Sequence, residues 1–493
     1  SFRNMLRLEQ LIADNHPAHA KRKGQEKIVT WPPTDLSSNG VQIGDFVKKF
    51  DYSFRWTADH QIGAEMEPLR QLGDPVAEAA YLVLNPGPGE DPLTKLRAAA
   101  KQPNPAPEVA ELWDHCTKKP DWLDWTKLKR GQYVYRRHGQ FLGKILLHLG
   151  LGGGYGAAKI NRVLMSTRYL VGQGEKGQED TFRRLMETAM ATMDFMVPGS
   201  LTPDTGEGWE TALRVRFLHA KVRCGLGRSP KWDAAAWGVP INVEDMAGTL
   251  CAFGFACVQA MESVLFTSQS DLDAYLHVWR YVGYLLGIPD EHNPCESQRK
   301  SVAFTQSLFM HQMQPDESSS KLCMHTLLSV SGRGVDRFDA ETHVSLARLL
   351  MGPNYAAAMG LPGLKFQQLV AHLFGFGLDH AHAWLTAIPL LGPWVVERNW
   401  MVARRLIAHL LRGKPLSIRG HHTHAPVESN VGELPAHAAV DIAAAKAMQR
   451  SQGPLPIHLW ERVHWNPFSS LSLVTLGLAV LRWLKRRRSM KLC

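Results

Sequence analysis

Four apolar stretches with helical spacing fill the middle of the chain: TFRRLMETAMATMDFM, WETALRVRFLHAKVR, DMAGTLCAFGFACVQAMESVLF and DLDAYLHVWRYVGYLLG. Their apolar residues recur with a period near 3.6 rather than in strand alternation, so each reads as a helix with a buried face. VPGSLTPDTGEG, GLGRSPKWD, WGVPINVE and TSQSD separate them and carry the residues that break helices. The spacing predicts Glu244 or Asp245 at the start of the third helix, and Gly287 and Pro289 at the end of the fourth.

Upstream, AEAAYLVL continues the helical pattern and is followed by the breakers NPGPGEDP and KQPNPAPEV. LGGGYGAAK lacks the GK[ST] ending of a phosphate loop and has no strand before it, so its glycines read as a bend or a close helix contact. No repeat of 20 to 50 residues is apparent. The resulting expectation is an all-α core over residues 55–400. A polar N-terminal arm covers 1–54, peripheral helices and loops cover 401–464, and an apolar C-terminal helix with a basic tail covers 465–493. From Phe468 to Leu481 that last segment is apolar, though shorter than the roughly 20 residues of a full helical span. Trp465 and Trp483 would suit the interfaces, and Lys485, Arg486, Arg487 and Arg488 would suit anionic head groups. A helix packed on the protein is the other reading of the same residues.

With 45% hydrophobic residues and 15 Trp, the composition is that of a folded protein. The net charge of +10 permits an anionic partner. Yet the aromatics lie in apolar helical stretches and no zinc-finger spacing occurs, so nucleic acid is not an expected partner. Seven cysteines form no CxxC pair, and an odd number cannot be fully paired within one chain, which favours a reducing compartment. The sequence contains no GxSxG nucleophile elbow and no HExxH metal motif. His372, His380 and His382 in HLFGFGLDHAHAW read as pocket-lining or covering residues. His421, His422 and His424 in RGHHTHAP read as a loop.

Two constellations carry chemistry. In RVRFLHAKVR, Arg216, His219 and Arg223 stand three and four positions apart and share one helix face. A neutral imidazole there can ligate haem iron while guanidiniums pair with propionates. A packed or surface histidine fits the same spacing. In RLMET, Arg184, Glu187 and Thr188 again fall at i, i+3 and i+4. A carboxylate so placed can move a proton, with the threonine hydroxyl as donor and the arginine as its holder. An ordinary helix ion pair fits equally.

RRLMET, LRVRFLHAKVR and WGVPINVEDMAGTL together resemble the central motifs of the latex-clearing (rubber oxygenase) and mycophenolic-acid-pathway oxygenase family. LGDP at residues 72–75 and DLDAYLHVWRYVGYLLGIP fit the same pattern, so the resemblance spans about residues 55–290. It implies a partly globin-like all-α domain carrying haem b. His219 would be the proximal ligand and the metal-binding residue, with Arg216 and Arg223 supporting the haem or its propionates. Arg184, Glu187 and Thr188 would stand on the distal side. In latex-clearing proteins the residue before that threonine is a lysine able to cap the iron, and here it is Glu187, which argues against such capping. The implied reaction is O2-dependent cleavage of an olefinic bond in an isoprenoid or prenylated substrate, with an electron donor as a further partner. A haem peroxidase or peroxygenase, and a non-catalytic haem- or lipid-binding membrane protein, are the alternatives. The implied location is membrane-associated, at the endoplasmic reticulum, with soluble intracellular or secreted as alternatives. Oligomeric state is not legible.

Overall fold

Prolines and side-chain caps cut the chain into its helices. Asp74, Asp91 and Asp124 each precede a helix and accept hydrogen bonds from its first free backbone N–H groups. Pro75 and Pro92 occupy the first helical position, where a missing N–H costs nothing. The computed structural model describes residues 28–30, 41–167, 174–265, 267–333 and 337–411. Counting α-helices of six residues or more, these are α1 Pro75–Leu84, α2 Pro92–Ala100, α3 Pro107–Thr117, α4 Trp125–Ile145, α5 Ala158–Thr167, α6 Gly174–Phe195, α7 Glu207–Gly227 and α8 Val243–Phe253. There follow α9 Phe255–Ala260, α10 Gln269–Leu285, α11 Gln298–Gln312, α12 Glu317–Ser329, α13 Ala340–Met351, α14 Pro353–Ala358, α15 Phe366–Leu385 and α16 Leu391–Leu410. The fold is all-α, as the periodicity predicts.

Three corrections to the sequence reading follow. DMAGTLCAFGFACVQAMESVLF is not a regular α-helix throughout, because it is interrupted at Gly254 between α8 and α9 and then widens into a π-helical turn, Met261–Leu265. Its cap is neither Glu244 nor Asp245 but Asn242, whose side chain accepts from the Asp245 N–H at 2.9 Å. The N-terminal arm is not wholly peripheral. Strands β1 Ile28–Thr30, β2 Phe46–Lys49 and β3 Tyr52–Arg55 form a small sheet in the order β1-β2-β3, with β1 parallel and β3 antiparallel to β2. Val47 and Phe54, paired in register, point with Trp56 into an apolar cluster that includes Met310 of α11. Short strands of this kind carry too few residues for periodicity to mark them.

The main core lies among α1, α3, α4, α7 and α10. Trp209 and Trp279 are fully enclosed there, and the Trp209 indole donates to the Cys116 carbonyl at 2.9 Å. A second cluster joins α12, α13 and α14 to the glycine-rich bend. At that bend a side chain on Gly156 would collide with the Tyr355 hydroxyl, so LGGGYGAAK is a close contact. Within Val243–Leu265, the one described helical stretch long and apolar enough to cross a membrane, half of the apolar window is buried in the protein. Its Leu250, Val258 and Met261 belong to the main core. The six described cysteines are free thiols. The apolar C-terminal segment, Phe468 to Leu481, lies outside the described residues, as do His421, His422 and His424.

Candidate functional site

Helix α7 carries Arg216, His219 and Arg223 on one face, as their spacing requires. Both guanidiniums are buried, and both are committed to carboxylates of the segment before and within α1. Arg216 donates from Nε and Nη2 to the two oxygens of Asp74, at 2.7 and 2.9 Å. Its Nη1 meets the Cys116 sulfur at 3.6 Å. Arg216 is 3% and Asp74 4% exposed, so this is a bidentate pair sealed from water. Burial works to raise the Asp74 carboxyl, but the charge and hydrogen bonds of Arg216 outweigh it and hold it below the usual aspartate value. Arg223 donates to Glu78 at 3.1 Å and to the carbonyls of Pro240 and Ile241 at 3.2 and 2.8 Å.

The motif LGDP thereby acquires a physical meaning. Asp74 caps α1 through the Ala77 N–H, Pro75 opens the helix, and the same carboxylate anchors α7. Gly287 closes over the pair with φ +88°, where a side chain would sit 2.3 Å from an Asp74 oxygen. WGVPINVEDM forms a second clamp. Arg70, fully buried, donates to Glu244 at 2.6 Å and Asp245 at 3.0 Å, and also to the Trp237 carbonyl. Residues 70–78 are thus stapled at both ends, to α8 and to α7.

His219 sits between these clamped points. Its Nδ1 is buried without a hydrogen-bond partner among the described residues. Burial, and then the charge of Arg223, push the ring down to about 4, so it is neutral at neutral pH. A neutral imidazole with a free buried nitrogen has the protonation state that a metal ligand needs, and His219, unlike His311 and His343 which share that feature, stands on the helix face held by the two buried arginines. These residues fit a haem whose iron is held from α7. Arg216 and Arg223, expected to support the haem or its propionates, donate here to Asp74, Glu78 and backbone carbonyls.

Helix α6 packs against α7, and the Thr211 hydroxyl donates to Asp194 at 3.3 Å near the connection between them. At 1.5 Å per residue, Glu187 lies about 10 Å along α6 from that bond and His219 about 12 Å along α7. Glu187 is buried at 3% exposure, and its Oε1 accepts from Arg183 Nε at 3.1 Å. The carboxylate partner shown is therefore Arg183, one position from the Arg184 expected to hold it. Arg184 is half-buried, and Thr188 is exposed with its hydroxyl donating to the Arg184 carbonyl at 3.0 Å. A hydroxyl turned back onto its own helix is a common resting state for threonine. Among the described residues no group of three or more His, Cys, Asp or Glu could hold a metal ion. His372 bonds Ser345 at 2.8 Å, and His380 accepts from Trp384 at 2.9 Å.

Sequence reading did not find Asp74, Glu78, Arg70 or the pairing role of Glu244 and Asp245. The signal was the chemistry within LGDP and INVED, a capping aspartate and adjacent acids in otherwise apolar surroundings.

A solved structure of latex clearing protein LCP in the closed state shares the fold, with a TM-score of 0.51 and 21% identity over 69% of this chain and 91% of that one. The rubber oxygenase of Streptomyces sp. (strain K30) is 29% identical over 190 residues, which is 38% of this chain and 44% of that protein. The alignment thus spans less than half the length of this relative. The model of the family "ER-bound oxygenase mpaB/B'/Rubber oxygenase, catalytic domain" matches residues 135–408, more than half of the chain. By that match this chain belongs to the ER-bound oxygenase mpaB/B'/rubber oxygenase family of oxidoreductase-type enzymes.

Proposed function

We propose that the protein is a haem b-dependent oxygenase that cleaves an olefinic bond of an isoprenoid or prenylated substrate with O2, drawing on an electron donor. The observation that carries this reading is His219, a neutral imidazole with an unmatched buried nitrogen on a helix pinned from both sides. Family membership and the fold of α6 and α7 support it. In this reading the core is a globin-like haem-binding arrangement, and haem iron, when bound, would supply the activation of O2.

The residues of the chain do the rest. His219 would hold the iron, and the Asp74–Arg216 and Glu78–Arg223 pairs fix the height and rotation of α7, which is a positioning role. Glu187 on α6 holds a buried carboxylate, in contact with Arg183, that would take or give a proton during the reaction. Thr188 has a hydroxyl that could give up its bond to the Arg184 carbonyl to donate to substrate, and Arg184, next to it on α6, would supply positive charge there. The apolar core around α4, α7 and α10 excludes water and suits a hydrophobic alkene. Association with membranes, including the endoplasmic reticulum named in the family description, belongs to the same proposal.

A peroxide-dependent reading draws on one specific observation, the burial of Glu187 beside Arg183, since a distal carboxylate can assist peroxide cleavage. The two separate in one assay of the haem-loaded protein with a prenylated alkene. Carbonyl products formed with O2 and reductant support the oxygenase. Products formed with H2O2, and none with O2 and reductant, select the peroxygenase.

A further inference from the structure

Most of the large apolar side chains left exposed in the described structure fall in one stretch of the chain. On α15, Phe366, Val370, Leu373, Phe374 and Leu378 follow helical spacing along the outer face, with Phe366 78% exposed. Beyond it, Trp384 is 62%, Leu390 94% and Trp394 59% exposed, the last on the first turn of α16. Between Phe366 and Val396 the sequence holds a single charged residue, Asp379, and that carboxylate is paired with Lys144 at 2.9 Å. The inner faces of both helices are engaged. α15 and the turn after it are tied to α4 through Lys144 and Arg137, and α16 is tied to α4 and α6 through Arg136–Glu397 and Arg404–Asp194. The apolar outer face is therefore presented by a braced pair of helices.

We propose that this face of α15 and α16 seats on the surface of an anionic lipid bilayer. The occupant follows from the chemistry at its edges. Two exposed indoles flank the turn that carries Leu390, and amphipathic rings of this kind favour the depth of the head groups. The guanidinium of Arg398 lies 5.6 Å from the Trp394 ring centre, Arg405 stands exposed at one end of the surface, and Lys365, exposed at the other, lies 3.7 Å from Glu341. A bare apolar turn between tryptophans, with basic groups at the margins, matches hydrocarbon below and phosphate above. The net charge of +10 acts in the same direction. Because α16 packs on α6 through Ile407, Leu411, Met186 and Met190, the docked face adjoins the helix of Glu187. The assignment concerns where the protein binds, and it stands whether or not haem is present.

The test is co-sedimentation of the full-length protein with phosphatidylcholine vesicles, with and without phosphatidylserine, alongside sedimentation velocity without lipid. The parent should bind, and more tightly when phosphatidylserine is present. In the combined variant Phe374→Glu, Leu390→Glu, Trp394→Glu, the partition coefficient should fall about tenfold or more, with unchanged circular dichroism and melting temperature. The full-length variant Leu473→Glu, Leu478→Glu should bind as the parent does. The proposal is overturned if the triple variant binds within twofold of the parent, or if only the tail variant loses binding. It is overturned equally if the parent ignores vesicles but self-associates through the face that the triple variant removes. Equal binding to both vesicle types would reject the anionic component.

Discussion

Arg216 and Arg70 are both buried, both pair with carboxylates, and both hold the same short segment, yet their surroundings balance charge in opposite ways. Arg216 meets one carboxylate, Asp74, which it keeps below the usual value. Arg70 meets two, Glu244 and Asp245, and one cation cannot neutralise both. Burial pushes Glu244 up to about 7 despite Arg70, and burial raises Asp245 as well. A single buried pair is a rigid pin, whereas a cation shared by two acids leaves one of them close to taking a proton. The pin lies on the helix of His219, where a fixed ligand position matters. The shared clamp lies one helix away.

Removing one half of the pin should have the largest effect. Arg216→Ala leaves Asp74 buried without its cation and should destabilise the protein by about 3–5 kcal/mol, read from the denaturant midpoint. A loss under about 1 kcal/mol would show that the pair does not hold α7. Gly287→Ala strains a left-handed backbone and drives a methyl group into Asp74. It should cost about 1–3 kcal/mol and broaden the haem spectrum while His219 remains. Glu244→Gln should matter least, within about 1 kcal/mol at pH 7, because the carboxyl already takes up a proton near there.

The pH dependence sharpens the contrast. The folded value of Asp74 is depressed, so its contribution is present above its ordinary 3.8 and is lost as pH falls through the folded value. The folded value of Glu244 is raised, so its contribution is present below 4.5 and is lost as pH rises through about 7. Asp74→Asn should therefore flatten the acid limb of the stability profile, and Glu244→Gln the limb between 4.5 and 7. Should both variants change the same limb, the two clamps would not differ as described. His219, pushed down to about 4, resists protonation when folded, so between 6.5 and 4 the unfolded chain binds the extra proton and stability falls on acidification.

How much of this could be read from the sequence depends on the range of the interaction. The helices of the centre followed from periodicity, and the shared face of Arg216, His219 and Arg223 followed from helix geometry. Gly287, just past α10, was legible as its end. The partner of Arg216 was not legible, because Asp74 lies 142 positions away and nothing local marks the pairing. The contact of Arg183 with Glu187 turns on rotamers that spacing leaves open. The strands β2 and β3 were missed because four residues carry almost no period. The exposed face of α15 was hidden by its own pattern, since an apolar stripe looks the same whether it faces a core or solvent.

The central claim is that His219 is the ligand that α7 is pinned to present. An absorption spectrum of the purified, haem-supplied protein beside folded His219→Ala tests it most directly. The account predicts a Soret band in the parent that is lost or displaced in the variant. An unchanged haem spectrum in His219→Ala, or no haem retained by the folded parent, would contradict it.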